Sequence, residues 1–361
     1  MNQEDFVIPP LYCPFPPEVN PHVEAVRDRT LAWVRRYALV KDETALARLC
    51  DVEAAELAGR AYPRSPRDKL AIISDYYTWL FLLDDECDEA GIGRRPERLA
   101  ALNAQCLEVL SGRAPEQLSN PSRPRPGRPD VPLVRALDEL RRRMEKLVSR
   151  AWMDRFNMRV SEYFEALVWE ARNRELGEWP NVVTYIQMRP YTGAVYTALD
   201  LIELTEGQTL PLVVRKHPDF RRLMVMTSNV VCWCNNLFSL WKERAHGDMH
   251  NLALVIQHEN GITLQAAVDR VAALIERDVR GFIALVDELA SFGPETNGGV
   301  RRFVAGMRAL MRGNLDWSSG SRRYQEVEAT EKAPALQDSI CLTRLSRFAL
   351  VFRLSARHRH S

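Results

Sequence analysis

The sequence has 361 residues, of which 46% are apolar and 27% are charged. Its 49 basic and 48 acidic residues leave a formal charge of +1, so no global field attracts nucleic acid or an anionic membrane. The seven cysteines lack CxxC spacing, which argues against a disulfide framework and a zinc site. These features predict a cytoplasmic protein with a sizeable core and no nucleic-acid partner.

Two further features bear on membranes. The chain begins Met-Asn-Gln-Glu-Asp, without the basic region and apolar core of a secretory signal. No apolar run approaches the roughly 18 residues that a membrane-spanning helix needs. We therefore expect no integral membrane segment.

The body of the chain shows helical periodicity throughout. Six prolines in residues 6–21 predict an extended N-terminal arm (1–21), and Asn20-Pro21 is typical of a helix start. No alternating strand pattern and no repeat interrupts the periodicity, so we expect an all-α fold with one domain over residues 1–337. A turn is predicted at Asn297-Gly298-Gly299. Later helical patterns cover residues 43–60, 66–90, 95–111, 133–175, 181–204, 218–244, 251–258, 263–291 and 300–311.

Two segments stand apart from this helical body. Residues 111–132 contain six prolines and predict an exposed loop, which we interpret as an insertion rather than a lid. Residues 338–361 form a C-terminal extension with an apolar stripe and five arginines, which is typical of a basic amphipathic helix. We expect it to dock on the protein's own body, with attachment to a membrane surface as the alternative.

The first candidate site is an acidic run at the end of an apolar segment. Residues 84–89 contain five acids after a mostly apolar stretch over residues 72–83, which leaves little polar face and predicts a buried helix. Asp84 and Asp88 lie one turn apart on the same face, where two carboxylates repel unless a cation joins them. Oxygen ligands of this kind suit Mg²⁺, and the alternative is a solvated helix end.

The second candidate site lies on a later helix. Asn235, Ser239 and Glu243 are spaced by four residues and fall within an arc of about 80°. Their oxygens form half of a Mg²⁺ shell that phosphate oxygens can complete. The alternative is a solvated polar face, but the neighbouring apolar residues predict a buried helix whose polar groups need partners.

Two facing magnesium sites imply a polyphosphate between them, and the sequence offers basic groups to bind it. Arg189 precedes Pro190, which should disturb the helix and direct backbone groups into a cavity. Arg323 and Tyr324 are adjacent phosphate donors, with a basic surface turn as the alternative interpretation.

Together these segments resemble the bacterial class I terpene synthases over about Pro14 to Tyr324. The match lies in the order and spacing of four motifs, with Arg189 placed 46 residues before Asn235. Asn236 departs from the family, in which many members have aspartate, and either Asp88 or Glu89 assists Asp84. The matching residues are Asp84 to Asp88 for the aspartate-rich motif, Asn235, Ser239 and Glu243 for the metal triad, Arg189 for the diphosphate sensor, Thr192 for the linker, Gly193 for the effector, and Arg323 with Tyr324 for the C-terminal pair.

The resemblance implies a helical bundle around an apolar cavity, with three Mg²⁺ and a prenyl diphosphate at its mouth. It implies that the departing diphosphate leaves an allylic cation in a pocket that excludes water. The expected diphosphate clamp is Arg189, Lys242, Arg323 and Tyr324, and the expected aromatic wall is Phe81, Trp317, Tyr76 and Trp79.

The resemblance favours farnesyl diphosphate as substrate, with geranylgeranyl diphosphate as the alternative, and it leaves the product skeleton open. A chain-elongating prenyltransferase would need a second aspartate-rich motif near residue 235, and the sequence has none. A non-catalytic helical interaction protein is the alternative of another class. A homodimer is compatible with the sequence.

Overall fold

The computed structural model describes residues 6–88, 91–112 and 131–324, and these contain α-helices and no strand. The predicted all-α class is confirmed. The helices are α1 (Val23–Tyr37), α2 (Glu43–Val52), α3 (Ala54–Ala61), α4 (Arg67–Asp88), α5 (Pro96–Leu110), α6 (Pro132–Glu145), α7 (Arg150–Leu176), α8 (Val182–Thr192), α9 (Val195–Glu206), α10 (Leu212–Lys216), α11 (Pro218–Ala245), α12 (Leu252–Asn260), α13 (Leu264–Asp287) and α14 (Pro294–Gly320).

Local sequence explains where many of these helices begin. A polar side chain at the N-cap accepts a hydrogen bond from a backbone N–H two or three residues ahead, which satisfies a donor that the helix leaves unpaired. This occurs at Asp42, Ser149, Asn181, Asn251 and Thr263. Helices α5, α6, α11 and α14 have proline in the first turn, where no N–H is needed.

Several predicted boundaries are wrong. The pattern over residues 43–60 forms two helices because Glu53 adopts a left-handed backbone with φ of 53°. The pattern over residues 133–175 likewise divides into α6 and α7. Asn297-Gly298-Gly299 does not form a turn, because α14 runs through it without a break.

The start of α1 also differs from the prediction. The helix begins at Val23, so Pro21 lies outside its first turn. Asn20 is buried, and its amide donates hydrogen bonds to the carbonyl oxygens of Tyr62 (3.1 Å) and Ser65 (2.8 Å). This asparagine therefore ties the N-terminal segment to the end of α3 rather than capping α1.

Helices α4 and α11 lie at the centre of one continuous hydrophobic core. Helix α11 packs against α8, α9, α12, α13 and α14, and α4 packs against α1, α3, α6 and α9. The side chains of Leu70, Ile73, Tyr76, Trp79 and Leu83 on α4 are fully buried, as the apolar run predicts. Both helices thus carry their polar residues to the site from inside the core.

The structure corrects one premise of the membrane prediction, namely that no segment is long and apolar enough to span a bilayer, because α11 is such a segment. By length and composition it is apolar enough to cross a bilayer, and it is the one helix of this kind among the described residues. However, 67% of its most apolar window is buried inside the protein. Packing within the bundle accounts for the hydropathy of α11.

The N-terminal arm lies over α11, α13 and α14. Phe6 stacks on Trp241 with ring centroids 4.5 Å apart. The backbone N–H and carbonyl of Val7 bond to the side chain of Gln265 (2.8 and 3.0 Å). The chain continues without helix to Asn20, as its proline content predicts.

Some predicted features lie outside the described residues. These are most of the 111–132 loop, the 338–361 extension and the proposed domain end at residue 337. They stay predictions. The six described cysteines are free thiols.

Helix α14 carries a glycine at every seventh position from 299 to 320, and three of the four lie at close contacts with other segments of the chain. A Cβ on Gly313 would lie 2.5 Å from the backbone of Arg60, and a Cβ on Gly306 would lie 2.6 Å from Ile202. A Cβ on Gly299 would lie 3.2 Å from Leu210, whereas Gly320 has open space around it. The glycines therefore let α14 pack closely against α3 and α9.

We predict that Gly313→Ala lowers the free energy of unfolding by about 1–3 kcal/mol, because the new methyl group overlaps the rigid backbone of α3. Gly320→Ala, on the same helix but in open space, is the matched control and should leave Tm nearly unchanged. Thermal and denaturant unfolding of both variants provide the measurement. Equal Tm values for the two would contradict the close backbone contact.

Candidate active site

A largely apolar cavity lies between the last turns of α4 and α8 and the middle of α11. It encloses about 190 Å³, far more than the roughly 10–15 Å³ that one water needs. Its lining comes from seven helices and the α8–α9 connection, so it lies inside the bundle rather than on one surface. The lining residues are Leu57, Ala61, Tyr77, Leu80, Phe81, Asp84, Tyr163, Arg189, Thr192, Gly193, Ala194, Val195, Ala198, Val231, Cys232, Asn235, Leu310, Asn314 and Trp317.

The acidic motif lies at one side of the cavity mouth, at the end of α4. The side chain of Asp84 is 52% exposed, and it accepts a hydrogen bond from Arg323 (2.9 Å). Arg323 also bonds to Asp85 at 3.2 Å. Burial raises the pKa of the Asp85 carboxyl, and the negative charge of Asp84 raises it further. The positive charges of Arg323 and Lys242 act in the opposite direction and lower this pKa. Lys242 on α11 thus contributes positive charge to the acids of α4.

The metal triad lies at the other side of the mouth, on α11. Asn235 Oδ1 accepts a hydrogen bond from Arg189 Nη2 (2.7 Å), and Asn235 Nδ2 donates to the hydroxyl of Tyr324 (2.9 Å). Ser239 Oγ donates to the Asn235 carbonyl (2.7 Å), which leaves its lone pairs available. The structure thus brings Arg189, Asn235 and Tyr324 together.

Glu243 is held by a residue that the sequence did not indicate. Asn251 Nδ2 donates to Glu243 Oε2 (2.6 Å) and to the carbonyl of Asn236 (2.6 Å), while Asn251 Oδ1 caps α12. Asn236 points away from the cavity and accepts a bond from Tyr185 (3.2 Å), as its position on α11 predicts. Asn251 therefore holds the Glu243 carboxylate in place against the backbone of α11.

The α8–α9 break follows Pro190 by three residues. Helix α8 continues through Pro190 to Thr192, so the proline itself does not end it. Ala194 then adopts a left-handed backbone with φ of 53° and begins α9. Thr192 accepts a bond from Arg189 Nη1 (3.1 Å), and a Cβ on Gly193 would lie 2.8 Å from Cys232 Sγ. This break therefore packs directly against α11.

The aromatic wall is partly as expected. Phe81 and Trp317 line the cavity with ring centroids 5.6 Å apart, and the Arg323 guanidinium lies 5.1 Å from the Phe81 ring. Tyr76 and Trp79 are fully buried in the core and do not line the cavity. The prediction for these two is wrong because both side chains are held in the core, where Tyr76 donates to the Thr197 hydroxyl and Trp79 to the carbonyl of Leu133.

Helix geometry identifies lining residues that residue type alone missed. Tyr77 and Leu80 lie seven and four residues before Asp84, and therefore share its face. Tyr163 and Asn314 come from α7 and α14, and no motif marks them in the sequence.

The donor set fits a divalent cation. Burial raises the pKa of Glu243 to about 7, and Asp248 adds to the effect. No lysine or arginine of the described ranges pairs with this carboxylate, so a cation would compensate its burial. Within those ranges no three His, Cys, Asp or Glu side chains lie close enough together to hold a metal ion by themselves. The Asn235 amide, the Ser239 hydroxyl and phosphate oxygens would therefore complete the coordination shell of the cation. The side chain of Asp88 is outside the described residues.

Arg189 completes the site with a free donor. Its Nε is buried and has no hydrogen-bond partner among the described residues, while its two terminal nitrogens hold Thr192 and Asn235. An unpaired buried donor beside the cavity mouth suits an anionic ligand.

Residues 75–281 match the family profile described as terpene synthase family 2, C-terminal metal binding. The chain belongs to the terpene synthase family. The profile begins on α4 and ends on α13, so it contains the acidic motif, Arg189 and the metal triad. The resemblance inferred from the sequence is confirmed, and the matched domain is a metal-binding one.

Individual terpene synthases align over nearly the whole chain. A (+)-T-muurolol synthase of Roseiflexus castenholzii is 38% identical, over 89% of this chain and 95% of its own. A germacrene A synthase of Nostoc punctiforme is 34% identical, over 92% and 98%. The crystal structure of germacradien-4-ol synthase from Streptomyces citricolor superposes with a TM-score of 0.74 at 26% identity, over 86% and 97%. The class I terpene synthase fold is therefore confirmed.

We predict that Gly193→Ala lowers turnover several-fold, because its methyl group meets the buried Cys232 and displaces the segment that positions Arg189. Cys232→Ala removes the sulfur and should restore much of the loss in the double variant. Steady-state rates and Tm of both single variants and the double variant test this coupling. Strictly additive effects of the two changes would contradict the contact.

Proposed function

We propose that this terpene synthase ionises farnesyl diphosphate in a Mg²⁺-dependent reaction and cyclises the allylic cation to a sesquiterpene. The observation that carries the proposal is the hydrogen-bond network at the cavity mouth. Arg323 donates to Asp84, and the next residue, Tyr324, is bonded to Asn235. Asn235 in turn accepts a hydrogen bond from Arg189. Two oxygen-rich clusters with cationic donors between them suit a diphosphate, and the apolar cavity below suits its hydrocarbon chain.

The relatives support a farnesyl substrate over a geranylgeranyl one. The Roseiflexus castenholzii enzyme is described as cyclising (2E,6E)-farnesyl diphosphate. The chain covers nearly all of that enzyme's length, so the comparison extends to the whole catalytic unit. Neither the prenyltransferase nor the non-catalytic alternative agrees with membership in this family.

Each mouth residue has a role in this proposal. Asp84, Asp88, Asn235, Ser239 and Glu243 would hold three Mg²⁺, which supply Lewis acidity to the phosphate oxygens. Asn251 orients Glu243 for this role.

The cationic side of the mouth would bind the diphosphate itself. Arg189, Lys242, Arg323 and Tyr324 donate hydrogen bonds to its oxygens and stabilise the negative charge that grows as the carbon–oxygen bond breaks. Thr192 and Gly193 position Arg189 through the α8–α9 break.

The cavity then protects the cation. Phe81 and Trp317 present aromatic faces just below the mouth, where the positive charge first forms. The apolar lining deeper in the cavity keeps bulk water away from it. Cytoplasmic location and a homodimer stay predictions.

Purified protein incubated with geranyl, farnesyl or geranylgeranyl diphosphate and Mg²⁺ tests the proposal. Diphosphate release and a cyclic hydrocarbon or alcohol in the organic extract should be greatest with farnesyl diphosphate. Chelation of the metal should abolish both signals, since the phosphate charge then has too few partners. Absence of diphosphate release from all three substrates would overturn the assignment.

We predict that Asp84→Asn and Glu243→Gln each lower turnover by roughly tenfold or more, because each removes a charged metal ligand. Asp154→Asn, an exposed acid with a side chain 58% accessible, is the matched control. Diphosphate release at saturating Mg²⁺ and Tm provide the measurements. Near-normal turnover of either site variant would remove that residue from the metal site.

We predict that Arg189→Lys also lowers turnover by roughly tenfold, because an ammonium cannot keep the bonds to Thr192 and Asn235 while donating to phosphate. Arg150→Lys at an exposed position controls for the change of residue type. Turnover and KM for farnesyl diphosphate are compared for the two variants. Wild-type rates in Arg189→Lys would contradict the sensor role.

A further inference from the structure

A positively charged and partly apolar surface lies at the end of the bundle away from the cavity mouth. It consists of α10, the first turns of α11 and one residue of α13, and we call it the α10–α11 face. Arg221 and Arg222 lie in the first two turns of α11, and Glu243 lies in its last turn, about 30 Å further along the helix axis. The face is therefore separate from the proposed active site. Its exposed side chains are Leu212, Val213, Lys216, Arg221, Arg222, Val225 and Arg277.

Helix geometry makes the charged part of this face continuous. Arg221 and Arg222 precede Val225 by four and three residues, so the three side chains lie on one side of α11. They line an open groove of about 490 Å³ together with Lys216 on α10 and Arg277 on α13. Three helices thus contribute four cations and an exposed valine to one surface.

The apolar part of the face lies on α10. Leu212 and Val213 precede Lys216 by four and three residues, so they share its side of this short helix. They are 64% and 68% exposed, whereas the next residue, Val214, is fully buried and holds the helix on the core. Two large apolar side chains beside a cation are therefore held in water, which is unfavourable until an apolar partner covers them.

The positive charge of the face is compensated only in part. Lys216 and Arg221 pair with no acid in the part of the chain that the structure describes. The other two cations each have one acidic neighbour, Asp219 at 4.0 Å from Arg222 and Asp278 at 2.9 Å from Arg277. The face is thus positive, although the whole chain is nearly neutral.

This charge disfavours two occupants that the chain itself could supply. The C-terminal extension 338–361 carries five arginines and one acid, so the face repels it. A second copy joined through the same face by a two-fold axis would place like charges opposite each other. The occupant must instead carry negative charge and also offer an apolar layer.

We propose that the α10–α11 face binds the surface of an anionic lipid membrane. Anionic headgroups attract the four cations, and Leu212, Val213 and Val225 enter the apolar layer beneath the headgroups. A soluble polyanion such as nucleic acid would pair with the cations but leave the apolar side chains in water. Since few residues take part, the attachment is reversible and weakens as salt rises. It does not depend on the proposed function.

Sedimentation of the whole 361-residue chain with lipid vesicles tests the proposal. Vesicles of equal parts phosphatidylcholine and phosphatidylglycerol should carry the protein into the pellet at low salt, and vesicles of phosphatidylcholine alone should not. Raising the ionic strength should release the protein, because salt screens the attraction between the cations and the headgroups. Failure of the wild-type protein to bind the anionic vesicles at low salt would overturn the proposal.

Two double variants test the residues of the face. Arg221→Gln with Arg222→Gln removes two cations and should lower the affinity for anionic vesicles by roughly tenfold or more. Leu212→Ser with Val213→Ser removes the apolar contact and should also lower it by roughly tenfold. All four side chains are exposed, so Tm should stay close to that of the wild type.

The matched control is Arg35→Gln with Arg36→Gln. These adjacent arginines are exposed on α1, which packs on α3, α4 and α6, so the variant removes the same charge from another surface. Its affinity for anionic vesicles should be nearly unchanged. Equal losses of affinity in the two arginine pairs, or wild-type affinity in both variants of the α10–α11 face, would overturn the proposal. A dimer that Leu212→Ser with Val213→Ser dissociates, without vesicle binding by the wild type, would assign the face to a second copy instead.

Discussion

The cavity mouth depends on the pairing of Arg323 with two carboxylates at the end of α4. Asp84 and Asp85 are neighbours in the chain, and their charges repel each other as well as resisting burial. Arg323 bonds to both and lies over the Phe81 ring, so one guanidinium joins the acidic motif to the aromatic wall. Tyr324 follows directly and bonds to Asn235. The segment after α14 thereby connects both halves of the site.

Much of the site follows from helix geometry applied to a few anchored residues. Once Asp84 is placed at the mouth, the residues three, four and seven positions before it must share its face, and they are Phe81, Leu80 and Tyr77. Choosing aromatic residues by type alone also selected Tyr76 and Trp79, which lie in the core. The all-α class and the main motifs could be predicted because they are local patterns.

Other features depend on contacts that no local pattern contains. Asn251 has the signature of an N-cap, and it is one, but its amide also holds Glu243 on another helix. Glu53 divides a continuous helical pattern through a left-handed backbone that glutamate seldom adopts. Gly298 and Gly299 suggest a turn, yet close packing of α14 beside Gln208 and Leu210 keeps the segment helical. In each case tertiary contacts override local preference.

The glycine face of α14 also sets the depth of the cavity. The same helix that rests on α3 and α9 through Gly306 and Gly313 also carries Leu310, Asn314 and Trp317, which line the cavity. Any side chain added along the glycine face would push those three inward or outward together, without altering their identity. The cavity volume available to the hydrocarbon chain therefore depends partly on glycines that do not contact the chain. A comparison of the lining residues alone would miss this effect.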